Sequence, residues 1–331
     1  MNTPKRTPFC ILAADIGGTH ARFARVEVEV GNDLKANLGA VFTFATRQAG
    51  ISTFAGFWDR FRSQAPAELS AIESFDAVSL AVAGSVTGQA AVLPNIDWDI
   101  TPQDARLFHR LFLVNDFVAQ GHALTATDAL ASLEKIRGGE PGPAGVIALV
   151  GAGTGLGHCA LHPLPPGNIA ASAYHVAGSE AGHASFAFQG GDEKIIEQRW
   201  LQRTGRPWLS NDDVVSGPGA VQLHACLTGK TAAASEALAP QNPETGRWFS
   251  RFYGRACRNF CLNVFPVSCL VLSGGIAARS PHLVRSEAFS ASFNDGLEYR
   301  ELLARVPIRL NTDPYIGIRG AAIHAARALK L

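Results

Sequence analysis

Residues 9–28, FCILAADIGGTHARFARVEV, decide the fold that we predict for this chain. The apolar run over 9–14 is typical of a buried strand, and the glycine pair Gly17-Gly18 forces a turn. The alternation of apolar residues resumes over 21–28 and indicates a second strand directly after the turn. These residues therefore predict a tight β-hairpin at the start of the chain.

The tip of this hairpin carries groups that can bind a nucleotide. Asp15 supplies a carboxylate and Thr19 a hydroxyl, and the two glycines between them leave the backbone open to close approach. Backbone N–H groups on such a turn can hold phosphate oxygens, and a neighbouring carboxylate can hold a hydrated Mg²⁺. The alternative is an ordinary Gly-Gly hairpin without a ligand, and this stretch by itself leaves both interpretations open.

Length and composition indicate a two-domain α/β protein. The chain has 331 residues, which is more than one hydrophobic core usually accommodates. Hydrophobic residues make up 47% and charged residues 17% of it, a balance typical of a soluble α/β enzyme with much buried sheet. The formal net charge of +1 gives no reason to expect a nucleic acid or an anionic membrane as a partner.

The cysteines and the lengths of the apolar segments indicate in which cellular compartment the protein is expected. The six cysteines are scattered and lie mostly in apolar runs, which indicates reduced thiols in the core. Cys257 and Cys261 could share a helix face, but no second Cys or His pair follows at zinc-site spacing. The apolar run 10–14 is too short for a signal sequence, and no stretch is long enough to span a bilayer. We therefore expect a cytoplasmic protein without a zinc site.

A second chemical signal lies in residues 111–117, LFLVNDF. The apolar run predicts a buried strand, and Asn115 and Asp116 follow at its end. Ligands in open α/β sheets bind at the carboxyl edge, so this strand delivers a carboxylate to the place where a ligand binds. The alternative is that Asp116 caps a following helix over 117–124, and the spacing leaves both roles open.

A second glycine turn lies in the middle of the chain. The apolar run 146–150 leads into 151–157, GAGTGLG, and the chain continues as a second strand through 158–161. A dinucleotide fingerprint requires a helix after the glycines and the spacing G-x-G-x-x-G, and neither is present. The arrangement of strand, glycine turn and strand repeats that of the first hairpin. It predicts a duplicated fold in which each half offers one phosphate-binding hairpin.

The remaining pattern alternates helices with strands. A loop of Gly, Pro and charged residues over 137–143 suggests a domain boundary near residue 125. Thr101, followed by Pro102, is the predicted cap of a helix. The other predicted elements are strands at 41–45, 76–82, 267–272 and 308–311, and helices at 51–64, 101–109, 213–227, 246–264 and 317–329.

Six motifs in order over some 260 residues resemble the bacterial glucokinases of the hexokinase, actin and Hsp70 superfamily. The motifs are Asp15-Ile16-Gly17-Gly18-Thr19, Asn115-Asp116-Phe117, the glycine turn 151–157, Ser179-Glu180-Ala181-Gly182-His183, Ser216-Gly217-Pro218-Gly219 and Ser273-Gly274-Gly275-Ile276. The resemblance implies two α/β domains of the RNase H-like (actin-like ATPase) type around an interdomain cleft. It divides the chain into a small domain, 1–126 with 312–331, and a large domain, 127–311.

The resemblance also implies a reaction, ATP-dependent phosphorylation of glucose to glucose 6-phosphate, with Mg²⁺ as the cofactor of ATP. Asp116 is then the general base, and Asp15 holds Mg²⁺ through water. The implied nucleotide-binding residues are Asp15, Gly17, Gly18, Thr19, Gly151, Gly153, Thr154 and Gly155 at the phosphates, with Gly274 and Gly275 near the adenosine. The expected substrate-binding residues are Asn95, Asn115, Asp116, Glu180, His183 and Asp212.

Three positions depart from the family pattern. His20 stands where the family usually has Asn, Ala181 replaces a usual glycine and could crowd the sugar loop, and Asp212 is one methylene shorter than the usual Glu. We hypothesise that these changes weaken or retune catalysis. A normal Michaelis constant for glucose in the unmodified protein would rule the hypothesis out.

Two other classes of function stay open at this point. One is a kinase of another hexose or of an N-acetylated hexosamine, which would keep Asp116 but change the contacts of Glu180, His183 or Asp212. The other is a non-catalytic sugar sensor, which His20 and Ala181 motivate. Only eight residues precede the first predicted strand, so a DNA-binding sensor is disfavoured. The expected partner is a small sugar, with a homodimer as a further hypothesis.

Overall fold

The computed structural model describes residues 8–31, 33–47, 50–142, 145–165 and 174–330. Contacts divide the chain into two compact units. Unit 1 comprises Met1–Ser132, Leu164–Val176 and Asp313–Leu331, and unit 2 comprises Leu133–Pro163 and Ala177–Thr312. The predicted division assigned residues 127–132 and 164–176 to the large domain and residue 312 to the small one, whereas the units group them the other way round.

Unit 1 is a five-stranded mixed sheet with helices on both faces. Its strands and helices are β1 Phe9–Ile16, β2 His20–Glu29, β3 Lys35–Ala45, α1 Phe54–Gln64, α2 Ala67–Ser70, β4 Ala77–Val82, β5 Ser85–Thr87, β6 Ala90–Val92, β7 Leu111–Asn115 and α3 Asp116–Leu124. The C-terminal helix of the chain, Ile316–Lys330, also belongs to it and is numbered α13 below. The sheet order is β3-β2-β1-β4-β7, with β5 and β6 forming a separate hairpin.

The strand β1 is buried because it lies in the middle of this sheet. It pairs antiparallel with β2 and parallel with β4. Leu12 and Ala14 point into a cluster with the aromatic residues of α1, whereas Ile11 and Ala13 point into the opposite cluster with α13. This alternation of side chains between the two faces follows from the period of two in a strand. The aromatics of α1 are therefore core residues.

The alanine-rich face of α13 allows close packing in unit 1. A Cβ added to Gly320 would overlap the carbonyl oxygen of Ala119 in α3. On the sheet side, the buried Ser79 hydroxyl of β4 donates to the carbonyl oxygen of Ala321 at 2.7 Å. The small residues in α13 are thus required by its contacts with α3 and with the sheet.

Unit 2 contains the larger sheet and most of the helices. Its elements are β8 Glu134–Arg137, β9 Val146–Ala152, β10 Leu156–Pro163, β11 Tyr174–Ser179, α4 Gly190–Thr204, α5 Asn211–Val214, α6 Gly217–Thr228, α7 Ala234–Ala237, α8 Pro243–Asn263, β12 Val267–Ser273, α9 Gly274–Arg279, α10 Pro281–Val284, α11 Glu287–Asn294, α12 Arg300–Arg305 and β13 Ile308–Leu310. The sheet order is β11-β10-β9-β12-β13-β8. Hydrophobic residues of α4, α6, α8 and α11 cover one face of it.

The two sheets share one topology. In each, a central strand forms an antiparallel hairpin with the next strand and pairs in parallel with a later one: β1 with β2 and β4, and β9 with β10 and β12. A further parallel strand follows, β7 in the first sheet and β13 in the second. The predicted duplication and the predicted class of two RNase H-like α/β domains are confirmed.

Two predicted helices are wrong in extent. The helix predicted over 101–109 is a single 3₁₀ turn, Asp104–Leu107, because Thr101 closes a local turn by donating its N–H and hydroxyl to the Asp104 carboxylate at 2.8 and 2.7 Å. The helix predicted over 213–227 is divided into α5 and α6, since Ser216 adopts an extended conformation and its hydroxyl caps α6.

All six cysteines are free thiols, and five of them are buried. Burial raises the pKa of the Cys159 and Cys269 thiols to about 12. These thiols therefore stay protonated and act as small core residues. Among the described residues, no helix combines the length and the hydropathy needed to cross a bilayer.

Two histidines and an arginine form a partly buried cluster between α3 and α13. The ring centroids of His122 and His324 lie 5.0 Å apart, and Nη1 of Arg327 donates to Nδ1 of His122 at 3.4 Å. Burial lowers the pKa of Arg327 to about 10 and, together with the neighbouring positive groups, lowers the pKa of both histidines. The cluster therefore favours neutral imidazoles.

This cluster predicts a loss of stability in mild acid. Because the folded pKa values of His122 and His324 lie below the unfolded value, unfolding takes up protons as the pH falls from 7 to 5. Each histidine contributes a slope of up to about 1.4 kcal/mol per pH unit to the free energy of unfolding. Urea titrations at several pH values should show a shallower slope for His122→Gln. The exposed His109→Gln is the control, and an unchanged slope in His122→Gln would contradict the assignment.

Candidate active site

The hairpin of unit 1 is a four-residue turn tied to β3. Ile16 forms the last β1–β2 pair, and the N–H of Gly17 donates to the carbonyl oxygen of His20 at 3.0 Å. Thr46 bonds both sides of the turn: its hydroxyl donates to the oxygen of Gly17 at 2.8 Å and its N–H to that of Thr19 at 2.9 Å. The N–H groups of Gly18 and Thr19 form no hydrogen bond with another described residue. They are donors that an anion can use.

The hairpin of unit 2 is tighter. The N–H of Gly153 donates to the oxygen of Gly155 at 2.7 Å, and the oxygen of Gly153 accepts the N–H of Gly217, the first residue of α6, at 2.8 Å. Thr154 is exposed at the tip. Since the last pairs of the two hairpins are Ile16 with Ala21 and Ala152 with Leu156, the position of Asp15 corresponds to Gly151. The described hairpins therefore differ in that the first carries a carboxylate.

Asp15 lies between β2 and the first turn of α13. Its cross-strand partner is Arg22, and a Cβ on Gly317 would meet Oδ2 at 3.1 Å. Burial raises the pKa of the Asp15 carboxyl, and the Arg22 charge opposes this effect. Within the described residues no group of three or more metal-binding side chains occurs. A single carboxylate next to a turn with free N–H donors fits Mg²⁺, because this ion keeps most of its waters and needs only one or two protein carboxylates.

Asp15→Asn is expected to raise the melting temperature at neutral pH. A raised folded pKa means that Asp15 contributes stability below its unfolded pKa and loses it as the pH rises through the folded pKa. The difference between the variant and the wild type should therefore grow from pH 4 to pH 7 in thermal melts. Asp59→Asn, on the exposed side of α1, is the control. A difference of opposite sign, or one that is independent of pH, would show that the charge of Asp15 is well solvated.

Asn115 and Asp116 stand where β7 passes into α3. The side-chain oxygen of Asn115 caps the helix by accepting the N–H groups of Phe117 and Val118 at 2.9 and 3.2 Å, and its amide donates to the oxygen of Gly84 at 3.1 Å. Asn115 therefore fills the capping role that the sequence allowed for Asp116. Asp116 is the first residue of the helix, is partly buried, and accepts the N–H of Phe117 at 3.0 Å.

The loop that carries Asn95 is in direct contact with the unit 1 hairpin. A Cβ on Gly18 would lie 3.1 Å from the Cβ of Asn95, so a larger residue there would displace the Asn95 loop by a few tenths of an ångström. The guanidinium of Arg47 donates to the carbonyl oxygen of Asn95 at 2.6 Å, and Asp99 accepts the N–H of Leu93 at 2.8 Å across the loop. Sequence reasoning missed Arg47, because no motif links it to a residue 48 positions away.

Glu180 and His183 are exposed side by side in unit 2. Oε2 of Glu180 and Nε2 of His183 lie 3.5 Å apart, and the two side chains are 74% and 72% exposed. The methyl group of Ala181 packs against the core of unit 2, and its predicted effect on the sugar loop stays a prediction. Gly182 is buried, and a Cβ there would overlap the oxygen of Leu156 at the unit 2 hairpin.

Asp212 is bonded to the unit 2 hairpin. Its Oδ1 accepts the N–H of Leu156 at 2.6 Å, and a Cβ on Gly155 would overlap the same oxygen. One carboxylate oxygen is thus used to position the turn. This contact was not predicted from the sequence, where Asp212 was considered only as a ligand of the sugar.

The Ser273-Gly274-Gly275 motif is the start of α9 rather than a hairpin turn. Gly274 has a φ of +82°, and a Cβ there would overlap the oxygen of Ala152, so only glycine fits. The guanidinium of Arg279 covers Gly275, since a Cβ on that glycine would meet Nη1 at 2.5 Å. The start of α9 therefore contacts the unit 2 hairpin.

Comparison with known proteins agrees with these motifs. A family profile described as Glucokinase matches residues 12–328. The chain belongs to the glucokinase family. A glucokinase of Nostoc punctiforme is 26% identical over 354 residues, with 96% of this chain and 99% of the relative covered. A glucokinase of Yersinia pestis is 28% identical over 335 residues, with 96% and 97% covered.

Solved structures of the glucokinase family have the same fold. A glucokinase from an Antarctic psychrotroph is 25% identical, with a TM-score of 0.73 over 95% of this chain and 98% of that chain. A glucokinase of Balamuthia mandrillaris, solved in complex with glucose, is 18% identical, with a TM-score of 0.77 over 97% and 94%. Membership of the glucokinase family makes the chain a sugar-phosphorylating enzyme, and a kinase family implies the use of ATP.

Proposed function

We propose that this protein phosphorylates glucose to glucose 6-phosphate with ATP and Mg²⁺. The observation that carries the proposal is that each glycine hairpin contacts a residue expected to bind the sugar. In unit 1 Gly18 lies against Asn95, and in unit 2 Leu156 donates to Asp212. Phosphoryl transfer depends on positioning the acceptor hydroxyl against the γ-phosphate, and a turn that contacts an expected sugar ligand supports a role in this positioning.

Asp116 is the proposed general base. The oxygen of the sugar 6-hydroxyl attacks the γ-phosphorus, the bond from that phosphorus to the bridging oxygen of ADP breaks, and the hydroxyl proton passes to the Asp116 carboxylate. Its place at the start of α3 is fixed by the Asn115 cap, which orients the first turn of the helix. A base held in this way contributes on the order of 10² to 10⁴ in rate.

The remaining residues bind and orient the substrates. The N–H groups of the two hairpins hold the phosphates, and Gly274 and Gly275 lie next to the adenosine. Asp15 would hold Mg²⁺ through water, and the bound ion would supply neutralisation of the phosphate charge. In unit 2 the exposed Glu180 accepts a sugar hydroxyl and His183 donates to another. Asp212 uses its second carboxylate oxygen for the sugar while the first holds Leu156.

One observation favours a second candidate, a kinase of another hexose. A carboxylate that gives one oxygen to the hairpin has fewer acceptors for adjacent sugar hydroxyls, and hydroxyl recognition discriminates strongly between sugars. Sugars that differ at one hydroxyl, such as mannose, galactose and N-acetylglucosamine, are the relevant comparison.

An assay coupled to ADP release, run with ATP, Mg²⁺ and each sugar of this panel, tests the proposal, and detection of glucose 6-phosphate identifies the product formed from glucose. Glucose should give the highest kcat/KM in the sugar panel. A higher kcat/KM for another sugar would make that sugar, rather than glucose, the substrate of the enzyme. Glucose binding in calorimetry without turnover of any sugar would reject the kinase proposal in favour of a sensor, and a normal KM for glucose would show that His20, Ala181 and Asp212 do not weaken the enzyme.

A further inference from the structure

Unit 2 contains an open pocket that uses none of the residues assigned above. Its volume is about 830 Å³, which is within the range of small-molecule sites. The helix α8 forms one wall, and α10 and α11 form the other. The pocket is therefore separate in sequence from the hairpins and from the sugar motifs of the same unit.

The α8 wall is strongly cationic. Arg247, Arg251 and Arg255 follow one another at intervals of four residues and so lie on one face of the helix. Glu193 of α4 binds both Arg251 and Arg255, whereas Arg247 forms no ion pair with any described residue. The guanidinium carbons of Arg247 and Arg251 lie 5.1 and 5.4 Å from the ring centroid of Trp248. One carboxylate thus compensates three guanidinium groups.

Two buried polar atoms of this wall have no hydrogen-bond partner among the described residues. The Arg255 side chain is 2% exposed, and its Nε, unlike the two Nη atoms that bond Glu193, has no hydrogen-bond partner among the described residues. The adjacent Ser250 is 1% exposed, and its hydroxyl is likewise without a partner. Charged and polar groups at such positions are usually satisfied by a partner or by a ligand. Asp295 also lines the pocket, but it pairs with Arg300 and leaves the excess positive charge of the α8 wall unchanged. This excess selects for an anionic ligand, and guanidinium groups suit phosphate.

The opposite wall combines an apolar surface with a carboxylate that can accept hydrogen bonds from hydroxyl groups. Leu283, Ala288 and Ala291 supply the apolar part. Glu287, in the first turn of α11, lines the pocket and forms no ion pair with a described residue. A carboxylate here repels a bare anion but accepts hydrogen bonds from neutral hydroxyl groups. The two walls together therefore suit a molecule with a phosphate at one end and hydroxyls at the other.

We propose that this pocket binds a sugar phosphate, with the phosphate on Arg247 and Arg251 and the hydroxyls at Glu287. The inference goes beyond the proposed catalytic function, because the pocket shares no residue with the groups that carry catalysis. A sugar phosphate has the chemistry of the product of a sugar kinase. Occupancy of the pocket would thus let the level of phosphorylated sugar act on unit 2.

Isothermal titration with glucose 6-phosphate tests this site. The protein is first saturated with glucose and a non-hydrolysable ATP analogue, so that the ester cannot report binding at the proposed catalytic groups. Arg247→Gln should weaken binding of the ester about tenfold or more, the effect of losing a charge-assisted hydrogen bond. Arg305→Gln is the control, because Arg305 is 76% exposed on α12 outside the pocket and should bind like the wild type.

Glu287→Gln separates recognition of the sugar from recognition of charge. It should weaken binding of glucose 6-phosphate while inorganic phosphate binds as well as before or better. Equal affinity of the wild type for inorganic phosphate and for the ester would overturn the sugar part of the proposal. Absence of saturable binding, or equal losses in Arg247→Gln and Arg305→Gln, would overturn the site itself. Because the readout is binding, failure of glucose phosphorylation in the coupled assay would leave this test intact.

Discussion

Asp116→Asn is expected to lower the kcat of glucose phosphorylation by about 10²-fold to 10⁴-fold. An amide cannot accept the proton of the sugar hydroxyl, so the attacking oxygen keeps its proton and stays a poor nucleophile. The fold should be retained, because Asn115 supplies the cap of α3 and an amide oxygen at position 116 can still accept the N–H of Phe117. Coupled-assay kinetics at saturating ATP and glucose measure the effect.

The control for this variant is Asp59→Asn, which removes an exposed carboxylate from α1 in the same unit. It should keep wild-type kcat and KM. Calorimetry with glucose should show that Asp116→Asn changes the dissociation constant much less than kcat, since a base acts mainly in the transition state. If Asp116→Asn keeps more than about a tenth of the wild-type kcat, Asp116 is not the general base.

Glu193→Gln is expected to lower the free energy of unfolding by about 3–5 kcal/mol. The carboxylate is 1% exposed, bonds Arg255 through both oxygens and Arg251 through one, and accepts the N–H of Gln189 at 2.6 Å. A neutral amide would leave the buried Arg255 without a counter-charge. Urea denaturation at pH 7 measures the loss.

The dependence of this loss on pH gives an independent check. Burial raises the pKa of Glu193, but the bonds from Arg255 and from the Gln189 N–H outweigh it and lower the pKa overall. The Glu193 carboxylate therefore contributes stability above its unfolded pKa, and this contribution is lost as the pH falls through the folded pKa. The difference in the free energy of unfolding between the wild type and Glu193→Gln should therefore become smaller in acid. Glu197→Gln on the same helix, whose carboxylate pairs with the half-exposed Lys194, should cost less than about 1 kcal/mol. Equal losses in the two variants would contradict a special role for the buried pair.

Local patterns in the sequence were sufficient to predict the strands and turns that carry the candidate site. The two hairpins and the strand that ends at Asn115 depend on apolar alternation and on glycines in turns, which act between neighbouring residues. The order of the six motifs indicated the glucokinase family, and the match of the family profile confirms this prediction. The roles of the individual site residues came from the resemblance and stay proposals.

The sequence patterns were less informative where one residue could form either of two local bonds. Thr101 was expected to cap a helix but closes a turn with Asp104, because a side chain that can bond the backbone competes with the helix. Likewise Asn115, rather than Asp116, caps α3. Both residue types are good caps, so propensity could not distinguish them.

By itself the sequence determined the class of fold, the duplicated hairpins and the family, since all three follow from the short-range periodicity of apolar residues and from the order of the motifs. Only the tertiary structure decided that Asp212 holds Leu156, that Arg47 holds the Asn95 loop, and that Glu193 compensates Arg251 and Arg255. These contacts join residues 48 to 62 positions apart. Which distant side chains meet depends on how helices and strands pack around a common core, and no local pattern encodes that packing.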